Sequence, residues 1–311
     1  MNVLLQESAV QHLTIGVFGD AALAKKMGKQ GTTNDILLTH HADSERIWTF
    51  ASPNSPEIKP LLQVVQLIDV PVVAADAVTR ELAEQLVALD AFGFGRGFIL
   101  SQNEQLRQLI KGTTLERYTW VRDERELREQ LTSVPAAATE GSVWIPIDNS
   151  FSVKSVGTVV LGVVRSGTVK KHDTLAVQPL GAQAVVKGIQ SQDKDVDAAH
   201  AGMRVGLSLK GVDASDLKRG YVLCANAHVA QHASVMFTKS RFSRETPTTG
   251  GQLLLSVGLQ VIACRIESAD PLLTLSLDQP AAWYAEQQCL LASTKQTLPR
   301  ILGAGAMFVP G

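Results

Sequence analysis

Apolar positions fall into two regimes along the chain. Up to about Leu131, short apolar runs alternate with stretches of helical spacing. Leu13 to Phe18, Ile47 to Phe50, Val70 to Ala74 and Gly97 to Leu100 read as strands, and Ala21 to Lys29 as a short helix. Thr79 to Phe92 sets Leu82, Leu86 and Leu89 at helical spacing, with Thr79 as N-cap, Glu81 in the first turn and Gly93 as stop signal. Arg122 to Leu131 is a further amphipathic segment. This alternation predicts an α/β domain. The stretch SVPAAATEGS, Ser133 to Ser142, is small, polar and Pro-containing, and reads as a linker.

Beyond residue 141 the helical periods disappear. Short β-rich runs recur with Gly turns between them: VWIPI, TVVLGVV, TVKKHDTLAV, AVVKGI and MRVGLSL, then VMFTKSRF, QLLLSVGLQVIACRI, LLTLSL and CLLAST. Repeated short strands of this kind predict antiparallel barrels or sandwiches. One small barrel needs fewer residues than remain, so two β domains are expected, divided near Asn226. The reading is therefore a chain of three domains, 1–140, 141–226 and 227–311.

Composition sharpens this picture. A chain of 311 residues is too long for one compact core, and 45% hydrophobic against 19% charged residues marks it as globular rather than disordered. Lys plus Arg number 29 against 30 Asp plus Glu, so no whole-chain basic excess points to nucleic acid and any RNA contact is local. The charge is unevenly spread: residues 1–140 carry 13 basic and 18 acidic side chains, 141–226 carry 10 and 7, and 227–311 carry 6 and 5. MNVLLQESAVQHL lacks the features of a signal peptide, and no apolar run approaches a membrane span, so the expectation is a cytoplasmic protein without membrane contact. Cys224, Cys264 and Cys289 are widely spaced with no CxxC and read as reduced core thiols.

From Ile145 to Cys224 several elements occur in order: Ile145-Pro146-Ile147-Asp148, Phe151, Gly157-Thr158-Val159-Val160, Val186-Lys187-Gly188-Ile189-Gln190, Arg204-Val205-Gly206 and Lys218-Arg219-Gly220. This segment resembles the second domain of the translational GTPases, in particular elongation factor Tu and the selenocysteine-specific elongation factor. Val257-Gly258-Leu259-Gln260, Ala263-Cys264-Arg265-Ile266 and Arg300-Ile301-Leu302-Gly303-Ala304-Gly305 are similar to that family's third domain. Thr79-Arg80-Glu81 with its Leu-rich helix resembles the helix before the guanine-reading motif. Thr32-Thr33-Asn34-Asp35-Ile36 is similar to a Thr-rich switch segment, especially that of archaeal Tu-like paralogues. The resemblance implies a multidomain α/β plus all-β fold: a reduced P-loop-type G domain followed by two small β-barrels.

The residues of nucleotide chemistry do not follow the family pattern. A phosphate loop needs G-x-x-x-x-G-K-[ST], whereas Gly16-Val17-Phe18-Gly19-Asp20 runs almost directly into helix, and Gly28-Lys29 has neither the earlier glycine nor a following hydroxyl. At the Asp-x-x-Gly position stand Ala51-Ser52-Pro53-Asn54-Ser55, without the Asp, the Gly or the water-positioning His. The Asn-Lys-x-Asp position reads Ser101-Gln102-Asn103-Glu104, where only Glu104 keeps an acceptor. The expectation is a degenerate G domain that is no longer an enzyme, with no catalytic residue, no cofactor, no metal and no GTP.

The resemblance places an aminoacyl or tRNA-binding groove at Asp148, Asn149, Phe151, Gln190 and Arg204. Two readings stand for Arg204: a contact in that groove, or a surface arginine on a barrel strand. Lys170-Lys171-His172 and Lys218-Arg219 read either as phosphate contacts or as solvated surface. Lys239-Ser240-Arg241-Phe242-Ser243-Arg244 interleaves cations with an aromatic, making Lys239, Arg241 and Arg244 candidate RNA phosphate contacts. His40-His41, His228 and His232 lack metal-ligand spacing. The implied function is a nucleotide-independent translation-factor relative that binds aminoacyl-tRNA or the ribosome. A protein-interaction scaffold and a GTP-binding factor with non-standard motifs are the alternatives.

Overall fold

The computed structural model describes residues 10–135 and 140–309; positions 136–139 of the expected linker lie outside the described residues. The first domain is built on β1 (Gln11–Gly19), β2 (Lys29–Thr33), β3 (Ile36–Ala42), β4 (Arg46–Pro53), β5 (Val70–Ala74), β6 (Phe98–Leu100) and β7 (Thr119–Val121). They form one sheet in the order β2-β3-β4-β1-β5-β6-β7, parallel from β4 to β7, with β2 and β3 as an antiparallel edge. Helices α1 (Ala22–Met27) and α5 (Glu124–Leu131) pack on a core of Leu13, Ile15, Trp48 and Phe50. Helices α2 (Ile58–Leu67), α3 (Arg80–Phe92) and α4 (Glu104–Leu109) share a second core with Phe18 and Ile99.

Local chemistry accounts for these elements. Thr79 caps α3 by accepting the Leu82 N–H at 3.1 Å, and Gly93 closes it in the left-handed conformation at φ 78°. The helix expected over Ala21 to Lys29 is shorter: it stops at Met27, and Gly28 turns the chain into β2. A Cβ at Gly28 would lie 2.9 Å from the His40 backbone, so the close approach of β3 requires glycine. Helix α2 is covered by the sheet on one side and a barrel on the other, its polar stripe turned to that barrel: Gln63 donates to the Leu259 carbonyl at 2.7 Å and Gln66 to the Ser256 carbonyl at 2.9 Å. Pro60, Leu61, Leu62, Val64, Val65 and Leu67 are all buried.

The second domain comprises β8 (Trp144–Val153), β9 (Gly157–Val163), β10 (Thr168–Lys170), β11 (Thr174–Gln178), β12 (Ala182–Ser191), β13 (Lys194–Val196), β14 (Ala198–His200), β15 (Arg204–Lys210) and β16 (Val222–Cys224). β11, β16, β8, β9, β15 and β12 close into a six-stranded barrel through the β11–β12 pairing, while β13 extends β12 and β10 pairs with β14. Alternate residues such as Val205, Leu207 and Leu209 fill its interior. Three residues, 225–227, lead into the third domain: β17 (His228–Lys239), β18 (Gln252–Val257), β19 (Gln260–Ser268), β20 (Leu273–Trp283), β21 (Gln288–Ser293) and β22 (Ile301–Phe308). These close a second barrel in the order β17-β20-β19-β18-β21-β22 around Trp283, Leu255 and Leu291. The three cysteines are free and buried, and burial pushes the Cys289 thiol up to about 12.

The three domains are packed together. Leu259, Leu290, Ala292 and Ile301 of the second barrel belong to the same core as α2 and α3. Arg165 of the first barrel pairs with Asp69 at 2.8 Å and donates to the Leu67 carbonyl at 2.8 Å. The rings of Trp144 and Tyr284 meet edge to face at 5.0 Å across the two barrels.

Candidate nucleotide and RNA interface

At the end of β1 the Gly19 N–H donates to Oε1 of Gln85 on α3 at 2.8 Å, and the Asp20 N–H donates to the Ala74 carbonyl at 2.7 Å. The Asp20 carboxylate accepts the Ala22 N–H at 2.8 Å, so a negative charge caps the start of α1. In the strand-to-helix connection after β4, Asn54 donates its backbone N–H to the Asp35 carbonyl and its carboxamide to the Asn34 carbonyl, both at 2.8 Å. After β6, the Ser101 hydroxyl donates to the Ala75 carbonyl. Asn103 donates to the Asp76 carbonyl at 3.0 Å and caps α4 by accepting the Gln105 N–H at 2.8 Å. At each of the three places where the family pattern puts nucleotide contacts, these groups hydrogen-bond within the chain.

The turn at Asn34-Asp35 faces the first barrel. The Asp35 carboxylate accepts from Arg219 at 2.7 and 2.8 Å, and Arg219 also donates to the Asp148 carbonyl at 3.1 Å. Arg219 is thus half-buried at a domain seam rather than part of a solvated pair with Lys218. Arg204 and Asp148 form a two-pronged ion pair whose side chains are only 9% and 12% exposed. Arg204 is therefore not the surface arginine that its strand position suggests. The Asn149 carboxamide oxygen accepts the Ser150 N–H at 3.0 Å, and Gln190 donates to Asp195 at 3.0 Å. Phe151 stands 39% exposed. The structure brings Asp148 and Arg204 together, but it turns the polar ends of Asn149 and Gln190 onto their own neighbours.

Two histidines line the same seam. His12 is buried edge-on to His200, with ring centroids 5.5 Å apart, and burial first, then the His200 charge, lowers it to about 4. His40 hydrogen-bonds Thr49 at 3.3 Å and faces Arg204, Asp148 and Asp193. Burial and then the Arg204 guanidinium lower it to about 4 against the two carboxylates. The folded chain holds both rings neutral, whereas the unfolded chain protonates them near the ordinary 6.5. Their contribution to stability is therefore present above 6.5 and is lost as the pH falls toward 4. Urea unfolding is expected to lose roughly 2–3 kcal/mol between pH 7 and pH 5. A His12→Gln, His40→Gln double variant flattens that slope; an unchanged slope would refute the assignment.

The remaining candidates lie elsewhere. Lys239 donates to the Thr246 hydroxyl at 2.9 Å, and the Arg241 guanidinium covers the Phe242 ring at 4.7 Å. Arg244 lines a cavity between the first and third domains together with Phe242. Phe242 is half-buried against the α2–α3 core, so its ring is not presented to solvent as a stacking surface. A hollow of about 200 Å³ that the sequence did not suggest lies where all three domains meet, and it is lined by Lys59, Lys218, Arg219, Tyr221 and Gln279. Lys59 comes from α2, a helix absent from the sequence reading, where with Gln63 and Gln66 it forms a polar stripe at helical spacing. Among the described residues, no helix is long and apolar enough to cross a membrane.

An α/β domain followed by two closed six-stranded barrels is the architecture of translation elongation factors. The sequence profile of the family described as "Elongation factor Tu domain 2" matches residues 157–224. An uncharacterized protein of Methanocaldococcus jannaschii is 34% identical over 310 residues, covering 96% of this chain and all of that protein. The selenocysteine-specific elongation factor of the same organism is 40% identical over 100 residues, which are 32% of this chain and 21% of that factor. Among solved structures, translation elongation factor SelB of Methanococcus maripaludis in complex with the GTP analogue GppNHp superposes with a TM-score of 0.84 at 19% identity, covering 96% of this chain and 79% of that one. A bacterial selenocysteine-specific elongation factor superposes at 0.81 and 18% identity, covering 97% and 59%. Residues 157–224 thus belong to the elongation factor Tu domain 2 family, and the whole chain is a relative of the M. jannaschii protein with the fold of translation elongation factors.

Proposed function

We propose that the chain acts as a translation-factor relative that works without guanine nucleotide, binding tRNA or the ribosome through its barrels and the junction they share with α2. The observation that carries this reading is that groups at all three nucleotide-contact places hydrogen-bond within the chain. Gln85 takes the Gly19 N–H that a phosphate would use, and the Asp20 carboxylate sits where an anion would be repelled. These residues do not fit a guanine nucleotide, and at the three places, among the described residues, phosphoryl transfer meets no family-pattern metal ligand, water-positioning group or charge clamp. The division at residues 140 and 226 separates this nucleotide-free domain from the two barrels that carry binding. The place of action is the cytoplasm, where translation occurs.

Calorimetry with GTP and Mg²⁺ tests the first part, with no heat of binding expected up to high micromolar ligand. Low-micromolar binding would restore the third reading, a GTP-binding factor with non-standard motifs. Gel-shift titration of tRNA is expected to give the same affinity with GTP, GDP or neither. The scaffold reading draws support from the Asp148–Arg204 pair and the Gln190–Asp195 bond, which engage the groove residues with each other. Absence of binding to tRNA and to ribosomes would select that reading.

A further inference from the structure

A cavity of about 760 Å³ opens where α3 and the end of α4 meet the β17–β18 and β21–β22 connections of the second barrel. Its floor is aliphatic, with Leu86 and Val87 of α3, Ile110 after α4, and Leu298. Leu109 at the end of α4 also lines the cavity and is 41% exposed. Its cations come from different elements: Arg80 from the first turn of α3 and Arg244 from the β17–β18 connection, both exposed and neither in an ion pair among the described residues. The acid in the wall, Glu84, is consumed by Arg300 at 2.6 Å. A neighbouring hollow on the other side of Leu298 holds Glu57 and Glu81, so the cationic end is the end toward α4.

The geometry points to this cavity as a docking groove for an acidic amphipathic helix of a partner protein. Three features choose that occupant. Ala83, Leu86 and Val87 of α3 with Leu109, Ile110 and Leu298 line an apolar trough, the kind of surface that takes the apolar face of an amphipathic helix. The free guanidiniums match carboxylates, which they bind in two-pronged geometry. RNA is disfavoured because bases stack on open aromatic faces, and the aromatic here, Phe242, is packed into the wall with Arg241 over it. This surface is separate from the three-domain junction of the proposed RNA site, so each stands or falls alone.

The test is fluorescence anisotropy on the full chain with a labelled synthetic helix of about four turns, leucines on one face and glutamates flanking them, and its counterpart with lysines in place of glutamates. The glutamate helix is expected to saturate in the micromolar range and to bind at least about tenfold tighter than the lysine helix. Arg80→Glu and Leu109→Glu, both at exposed positions, are each expected to weaken it about tenfold with the melting temperature unchanged. No saturable binding, equal binding of the two helices, or binding untouched by both variants overturns the proposal. Displacement of the helix by tRNA would give the cavity to RNA and overturn it as well.

Discussion

Arg300→Ala is expected to lower the free energy of unfolding by about 3–5 kcal/mol, among the largest effects of any single substitution in the chain. Arg300 begins the run into β22, and Glu84 lies mid-way along α3 on a different domain. Glu84 Oε1 accepts the Arg300 backbone N–H at 2.6 Å and its Nε–H at 3.0 Å, Oε2 accepts a second guanidinium N–H at 2.6 Å, and the guanidinium also donates to the Pro56 carbonyl at 2.9 Å. The two side chains are 4% and 9% exposed. Truncating the arginine leaves a carboxylate that is 4% exposed with a single backbone donor, and desolvation of an unpaired charge is what makes the loss large. A Glu84→Leu, Arg300→Met double variant removes both charges and is expected to regain most of the stability. Urea midpoints of the wild type and these variants measure it. A loss below about 1 kcal/mol for Arg300→Ala would mean that the seam tolerates the bare carboxylate.

The elements legible in the sequence are those whose signal is local. Helix α3 carries its own cap, a leucine face and a glycine stop, and it appears where those residues put it. The barrels announce themselves through glycine-punctuated alternation and through the ordered matches from Ile145 to Cys224. Helix α2 escapes the sequence reading although Lys59, Gln63 and Gln66 lie at helical spacing, because the segment is short and Pro56 and Pro60 read as breaks at its start. The limit to local signal governs the site as well. Asp35 stands out as part of a Thr-rich segment, but its partner Arg219 is 184 residues away, and Glu84 and Arg300 are separated by 216. Pairing across that distance is set by how the domains dock. The reading of Arg204 as an exposed strand arginine failed for this reason: its position on β15 is outward, but Asp148 on β8 and His40 from the first domain cover it.

These placements decide which substitutions test RNA binding. Replacing Arg204 would break a buried ion pair at the seam, so a loss of affinity there would not separate direct recognition from damage. Arg244 faces the cavity beside α3, and Lys239 is held by Thr246. Lys59 and Lys218 are exposed, belong to different domains and line one hollow with Arg219, where a phosphate group would meet three cations without displacing an existing ion partner of either lysine. A Lys59→Ala, Lys218→Ala variant is accordingly expected to bind tRNA about thirtyfold more weakly at low salt, roughly 2 kcal/mol, with its melting temperature preserved. Every lysine–phosphate pairing contributes about one unit to the slope of log affinity against log salt, so the magnitude of that slope should fall by about 2 in the double variant. The defect is expected to be the same across tRNA sequences, because groups that bind phosphate position the RNA without reading its bases. Unchanged affinity and slope in this variant would move RNA recognition away from the three-domain junction, whereas a weakened affinity with an unchanged slope would mean that the lysines act by shaping the hollow rather than by meeting phosphate.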